Sequence, residues 1–159
     1  MTARLDGSPD ADRTPEDPRI TAFGLFVEAS GLLNRLLSKE IESRCDIPIT
    51  WFEVLLRLGR TPSHRMRMVE LAAQISFTDG GVSRLADRME RAGLIGRELD
   101  RTDRRGTLAV LTPAGAELLD RAVAVHLDGV QRRVFDHLSD RDVAALERIM
   151  RKLRAANTT

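Results

Sequence analysis

Apolar residues recur every three or four positions along most of the chain, and this period predicts a mainly helical protein. The segment from Ile20 to about Cys45 predicts one long helix with a broad apolar surface. Thr50 and Glu53 have the spacing of a capping box, which predicts a short second helix over residues 51–59.

Two further short helices follow a polar connector at residues 60–66. The first begins near Met68 and ends near Ser76. The second is capped by Thr78 or Asp79 and ends at Gly93, which has the usual C-cap position. Its spacing turns one set of residues inward, Val82, Leu85, Ala86 and Met89, and another outward, Gly80, Gly81, Ser83, Arg84, Asp87, Arg88 and Arg91.

Two β-compatible stretches, about 94–100 and 107–112, flank the polar segment 101–106 and predict a hairpin with an exposed tip. A helix-turn-helix whose second helix carries arginines is typical of proteins that read the DNA major groove, and a hairpin after it adds a wing. Asp103 can orient Arg105 by an ion pair, and a narrow basic tip suits the minor groove. The tip arginines are Arg101, Arg104 and Arg105. The alternative is that these charged faces are simply solvated.

The terminal helices carry more apolar surface than a small central module can cover. Thr112 and Pro113 cap and open a long helix, and residues 139–142 cap a last one. The last helix has an apolar seam of Val143, Leu146, Ile149, Met150 and Leu153. We expect a twofold homodimer with recognition helices about 34 Å apart on a pseudo-palindrome; the alternative is a closed monomeric core.

Composition adds limits to this picture. The chain has 159 residues, of which 42% are apolar and 31% charged, which fits a globular domain and excludes a wholly disordered chain. Residues 1–18 hold two arginines and five acids and predict a flexible acidic tail. No uncharged apolar run approaches the ~20 residues of a membrane span, so a cytoplasmic location is expected. Cys45 is the only cysteine, and we expect it to be buried.

Several motifs now resemble the MarR family of winged-helix regulators, over residues 20–155. They are Glu70-Leu71-Ala72, the run from Val82 to Leu94, the D-x-x-D-x-R pattern from Asp100 to Arg105, and Leu111-Thr112-Pro113-Ala114-Gly115. The resemblance implies a mainly α fold with a small β-hairpin wing, in which long terminal helices form an intertwined homodimer. The expected organisation is a tail at 1–18, a dimerisation region at 19–47 and 113–156, and a winged helix-turn-helix DNA-binding domain at 48–112.

In family terms Arg105 enters the minor groove with Asp103 as its partner, Ser83 and Arg84 contact DNA from the recognition helix, and Arg88 has a phosphate-binding or structural role. The expected contacts with double-stranded DNA are Thr78, Asp79, Gly80, Gly81, Ser83, Arg84, Arg88, Arg101, Thr102, Asp103, Arg104 and Arg105. Repression of transcription is the common behaviour of the family, and it is expected here by resemblance alone.

Two departures concern recognition and regulation. Asp79-Gly80-Gly81 stands where many members carry hydroxyl or basic residues. The peroxide sensors of the family carry a cysteine near the start of the first helix, whereas Cys45 lies at the end of that helix and the chain has no tyrosine. Other members bind small anionic or phenolic effectors. Trp51, Phe52, Arg35 and His64 are residues that could line such a pocket, although a core role is favoured for both aromatics, and no effector residues are assigned.

Other functions have little support in the sequence. His64, His126 and His137 fall in no metal-binding or catalytic signature, and Gly80-Gly81 lacks the lysine of a phosphate loop, so we expect neither an enzyme nor a cofactor. A zinc-responsive member would need ligands that converge from separate helices. The main alternative is a winged-helix dimer that serves as a protein-interaction scaffold without a specific DNA site.

Overall fold

The computed structural model describes residues 15–75, 79–100 and 106–158. The elements are α1 (Pro18–Cys45), α2 (Ile49–Gly59), β1 (Arg65–Arg67), α3 (Met68–Gln74), α4 (Asp79–Arg91), β2 (Ile95–Leu99), β3 (Thr107–Leu111), α5 (Pro113–Arg133) and α6 (Asp140–Asn157), with a 3₁₀ turn at Phe135–His137. The chain divides into two compact units, and the first ends at Leu36 within α1. The predicted tail lies largely outside the described residues.

Helix α2 begins earlier than the sequence predicts, and the predicted capping box is wrong. Pro48 is the N-cap residue, with extended backbone and no side-chain cap. Its carbonyl oxygen accepts hydrogen bonds from the amides of Trp51 (2.9 Å) and Phe52 (3.4 Å). Because the proline already fixes an extended entry into the helix, Thr50 lies within the first turn and its hydroxyl does not cap.

The sheet has three strands rather than the predicted two. The strand β1 begins within the segment 60–66, which was predicted to be a polar connector, and ends one residue after it. It pairs antiparallel with β3, so the strand order is β1-β3-β2. Met66 pairs with Ala109, and both side chains are buried. Three residues are too few to show the alternation that identifies a strand in a sequence.

The second unit has one apolar core, built by α2, α3, α4, α5 and the sheet. Leu55, Leu58, Leu71 and Met89 are completely buried in it. All four residues predicted to face inward from α4 belong to this core. Cys45 is only half-buried against it, which differs from the predicted burial.

A compact junction joins the end of α4 to the start of α5. Gly93 has a left-handed backbone (φ 74°), as expected of a C-cap glycine. The Thr112 hydroxyl lies 2.7 Å from the carbonyl oxygen of Gly93 and 2.9 Å from that of Leu94, and it accepts a hydrogen bond from the Gly115 amide at 3.0 Å. One side chain therefore caps α5 and anchors the turn that ends α4.

In the second unit, the last turns of α1 are held to α5 by ion pairs. Glu40 accepts hydrogen bonds from Arg132 (3.2 Å) and from Arg133. The hydrogen bond from Arg133 and the charges of both arginines hold the pKa of Glu40 below its ordinary value.

Large apolar side chains on α1 and α6 are left exposed. Phe23 is 67% exposed and Leu25 63% exposed on α1, and no residue of α6 is buried. The predicted seam of α6 includes Ile149 at 43% and Leu153 at 49% exposure. By length and composition alone α1 could cross a membrane. The sequence prediction did not include this property, because charged residues interrupt the apolar run.

Gly115 provides a test of the junction. A Cβ at this position would lie 2.9 Å from Leu111 Cδ1 and even closer to the carbonyl oxygen of Leu94. Backbone cannot move aside as a side chain can, so we expect Gly115→Ala to lower the free energy of unfolding by ~1–3 kcal/mol in urea titrations. Gly96→Ala is the matched control, because a Cβ there meets nothing within 4 Å. Equal unfolding midpoints for the two variants would contradict this packing.

Candidate nucleic-acid interface

Helix α4 has one buried and one exposed face. Ser83, Arg84 and Arg88 are exposed on the side away from the core, and Gly81 is half-buried. Asp79 and Gly80 form the first turn of the helix. The outward placement predicted for Ser83, Arg84 and Arg88 is therefore correct, and a row of polar and cationic groups faces solvent.

The other predicted contacts lie outside the described residues. They are Thr78, before α4, and the five residues between β2 and β3, namely Arg101, Thr102, Asp103, Arg104 and Arg105. The two strands that flank this segment are described, and they are paired as predicted.

The base of the β2–β3 hairpin is closed by polar contacts. Leu99 pairs with Thr107, and the Asp100 amide donates a hydrogen bond to the Gly106 carbonyl oxygen at 2.9 Å. The Asp100 side chain is buried, and one of its carboxylate oxygens lies 2.7 Å from Arg67 Nε at the end of β1. A buried carboxylate needs a partner of opposite charge, so this ion pair holds the base of the β2–β3 hairpin against β1.

Arg97 on β2 contacts helix α4 through ion pairs and a hydrogen bond. Its Nη2 lies 2.7 Å from the Asp87 carboxylate and donates to the Ser83 carbonyl oxygen at 3.0 Å. Its Nε lies 3.7 Å from the Glu90 carboxylate. One arginine of the strand that leads into the wing therefore lies against two acids of α4, and Asp87 pairs with this arginine rather than with Arg84 or Arg88.

The sequence analysis did not identify Arg67 or Arg97 as parts of this site, and it included Asp100 only as the first residue of the D-x-x-D-x-R pattern. Arg97 follows Asp87 by ten residues, and no local spacing joins them. The predicted winged helix-turn-helix could have indicated the Arg97 contact, because the wing strand that follows α4 runs back beside it and brings its side chains against that helix.

Phe52 and His64, two of the residues considered for an effector pocket, differ in burial. Phe52 is buried, and its ring centroid lies 5.0 Å from that of His126. Partial burial lowers the pKa of His126. His64 is exposed and has a left-handed backbone (φ 51°). Within residues 15–75, 79–100 and 106–158, no group of three His, Cys, Asp or Glu residues could hold a metal ion.

We expect Arg97→Gln to loosen α4 from the wing strand. Loss of the ion pair and of the hydrogen bond to Ser83 should lower the free energy of unfolding by roughly 1 kcal/mol in urea titrations. Arg151→Gln breaks a solvent-exposed ion pair with Glu147 on α6 and is the control. If the two variants unfold alike, the Arg97 contacts do not stabilise the site.

Comparisons with known proteins agree with this geometry. A family model described as the MarR family matches residues 46–106. An uncharacterised HTH-type transcriptional regulator of Bacillus cereus is 35% identical over 118 residues, which cover 74% of this chain and 76% of the relative. The multiple antibiotic resistance protein MarR of Salmonella typhimurium is 30% identical over 120 residues, covering 76% of this chain and 81% of that protein.

Solved structures give the same result. The regulator Sco3205 of Streptomyces coelicolor, determined in complex with DNA, superposes with a TM-score of 0.85 at 30% identity and 94% coverage of both chains. A mutant of MarR from E. coli, complexed with operator DNA, has a TM-score of 0.75 at 27% identity, covering 88% of this chain and 98% of that one. The helix-turn-helix, the hairpin and these relatives together identify the chain as a member of the MarR family of DNA-binding transcriptional regulators.

Proposed function

We propose that this protein is a dimeric repressor that binds a pseudo-palindromic operator. Helix α4 enters the major groove, and the segment 101–105 enters the adjacent minor groove. The observation that carries the proposal is the exposed row of Ser83, Arg84 and Arg88 on a helix whose opposite face is buried. Neither arginine forms an ion pair with any residue that the structure describes, so both are available to DNA.

Each contact has a distinct role in this proposal. Arg84 reads a base edge, because guanidinium pairs bidentately with guanine, while Ser83 and Arg88 bind beside it. Thr78 and the first residues of α4, Asp79 to Gly81, contact the DNA backbone closely, because Gly80 and Gly81 lack side chains. In the minor groove Arg105 is oriented by Asp103, and the neighbouring contacts are Arg101, Thr102 and Arg104.

The homodimer is supported by the exposed apolar surface of the terminal helices. Phe23 and Leu25 expose large side chains on α1, and Ile149 and Leu153 do so on α6. Clusters of exposed apolar side chains on one helix mark interaction sites in soluble proteins. A second copy of the chain covers these faces and places two α4 helices about one DNA turn apart. We therefore assign the apolar surface of α1 to a dimer interface of a cytoplasmic protein rather than to a membrane.

Regulation by a small anionic or phenolic effector is part of the proposal. Its support is a cavity of about 320 Å³ between α3, α4 and the strands, whose lining includes Arg67, Arg97, Met68 and Val69. An anion there would compete for the arginines that hold α4 and the hairpin base. Such an effector releases DNA only if it binds the free and the DNA-bound states with different affinities.

The deciding experiment is a DNA-binding titration with the full chain. A duplex from around its own gene is compared with a scrambled duplex of equal length at several salt concentrations. We expect selective binding with a steep salt dependence and protection of a pseudo-palindrome. Equal, weak binding to both duplexes would favour an interaction scaffold over a site-specific regulator.

Two variants assign the contacts. Arg105→Ala should weaken binding and lower the slope of log K against log salt by about one, while the dimer stays intact. Arg84→Ala should reduce the preference for the operator, at roughly 1–3 kcal/mol per lost base contact. Arg148→Ala removes an exposed charge on α6, opposite the apolar seam, and is the control. An unchanged slope for Arg105→Ala would remove the wing from the interface.

The dimer has its own test. Ile149→Asp places a charge in the exposed seam of α6, and we expect sedimentation velocity to detect a monomer at concentrations where the unmodified chain is a dimer. Ala144→Asp introduces the same side chain on the opposite side of α6 and should leave the dimer unchanged. A dimeric Ile149→Asp variant would exclude this seam from the interface.

A further inference from the structure

A groove runs between the first turn of α2 and the exposed face of α4. Its volume is about 460 Å³, and its lining includes Thr50 on one side and Gly81, Arg84, Arg88 and Arg91 on the other. Neither Thr50 nor Arg91 was among the contacts expected from the sequence. The groove therefore extends the polar surface of α4 beyond the residues assigned to base reading.

The groove is strongly cationic. Arg84, Arg88 and Arg91 follow one another at spacings of four and three residues, so they lie along one face of α4. Arg91 Nε donates to the Asp87 carbonyl oxygen at 3.2 Å, and in the described part of the chain none of the three guanidinium groups has an ion-pair partner. The acid that lines this groove, Asp87, is paired with Arg97.

The length of this arginine row indicates which anion fits it. Seven residues of helix separate Arg84 from Arg91, a rise of about 10 Å. Successive phosphates of one DNA strand rise ~3.4 Å along the duplex axis and are also displaced around it, so the row spans about two of them and is longer than one small anion. Thr50 adds a neutral hydroxyl on the opposite wall, and this hydroxyl is free of capping because α2 begins at Ile49.

We propose that this groove holds the sugar–phosphate backbone of one DNA strand, with Arg91 and Thr50 as its sequence-independent contacts. The proposal rests on the DNA binding proposed above and deepens it. Arg84 reads bases at one end of the row, Arg91 binds phosphate at the other, and Thr50 places α2 against the same strand. The groove thereby fixes how far α4 is rotated about its own axis in the major groove.

The test uses Arg91→Gln in the full chain, with operator and scrambled duplexes titrated over a range of salt concentrations. We expect affinity to fall roughly three- to tenfold on both duplexes, with the salt slope reduced by about one and the ratio between the duplexes unchanged. Arg91→Lys should restore the slope, because it restores the charge. Arg148→Gln is the control for the loss of an exposed arginine.

Thr50→Val tests the opposite wall without a change of charge. We expect a two- to fivefold loss of affinity on both duplexes and no change in slope, since a hydroxyl releases no counterion. Unfolding midpoints like that of the unmodified chain will establish that both variants are folded.

The outcomes separate this inference from the function on which it rests. Unchanged affinity and slope for Arg91→Gln, while Arg84→Ala still weakens selective binding, would overturn the groove and leave the regulator intact. A lower selectivity ratio for Arg91→Gln would mean that Arg91 reads bases, which also overturns the backbone assignment. Absence of selective binding by the unmodified chain would instead reject the proposed function.

Discussion

The bonds around Thr112 set the position of α4 relative to the rest of the second unit. Its hydroxyl reaches the carbonyl oxygens that end the turn after α4, and it caps α5 through the Gly115 amide. The backbone of Gly115 passes against Leu94, where no side chain would fit. The end of α4 and the start of α5 are therefore joined by hydrogen bonds and by close backbone packing. In the proposed dimer, we expect the proposed effector to change the separation of the two α4–α5 junctions rather than the geometry within either one.

The exposed face of α4 carries arginines, although the same helix also contains acids. Asp87 and Glu90 face Arg97, and Asp100 faces Arg67, so two arginines from the strands lie against these three acids. Partly exposed ion pairs contribute little to stability. Their larger effect here is on the electric field. Helix α4 has three arginines and three acids, and Arg97 beside Asp87 and Glu90 makes the surface that a polyanion approaches net positive.

Residues that act through local patterns could be predicted from the sequence. The inward face of α4, the Gly93 end, the Thr112 cap and the Ser139–Asp142 capping box follow from spacing alone, and the structure has all of them. The failures have physical reasons. Thr50 was predicted to cap α2, whereas the helix begins two residues earlier, at the N-cap Pro48. The strand β1 has only three residues, too few to show the alternation of a strand. Arg67 and Arg97 act across elements, and only the fold brings their partners to them.

The closed base of the hairpin has a consequence for how members of such a family can diverge. The Asp100–Gly106 hydrogen bond and the Leu99–Thr107 pair fix both ends of the intervening segment to the sheet. Once the ends are fixed, each doubling of loop length costs only about 0.6 kcal/mol in closure entropy. Insertions between residues 100 and 106 can therefore accumulate without disturbing the core. Under the proposed function, the reach of the wing along DNA can therefore evolve independently of α4.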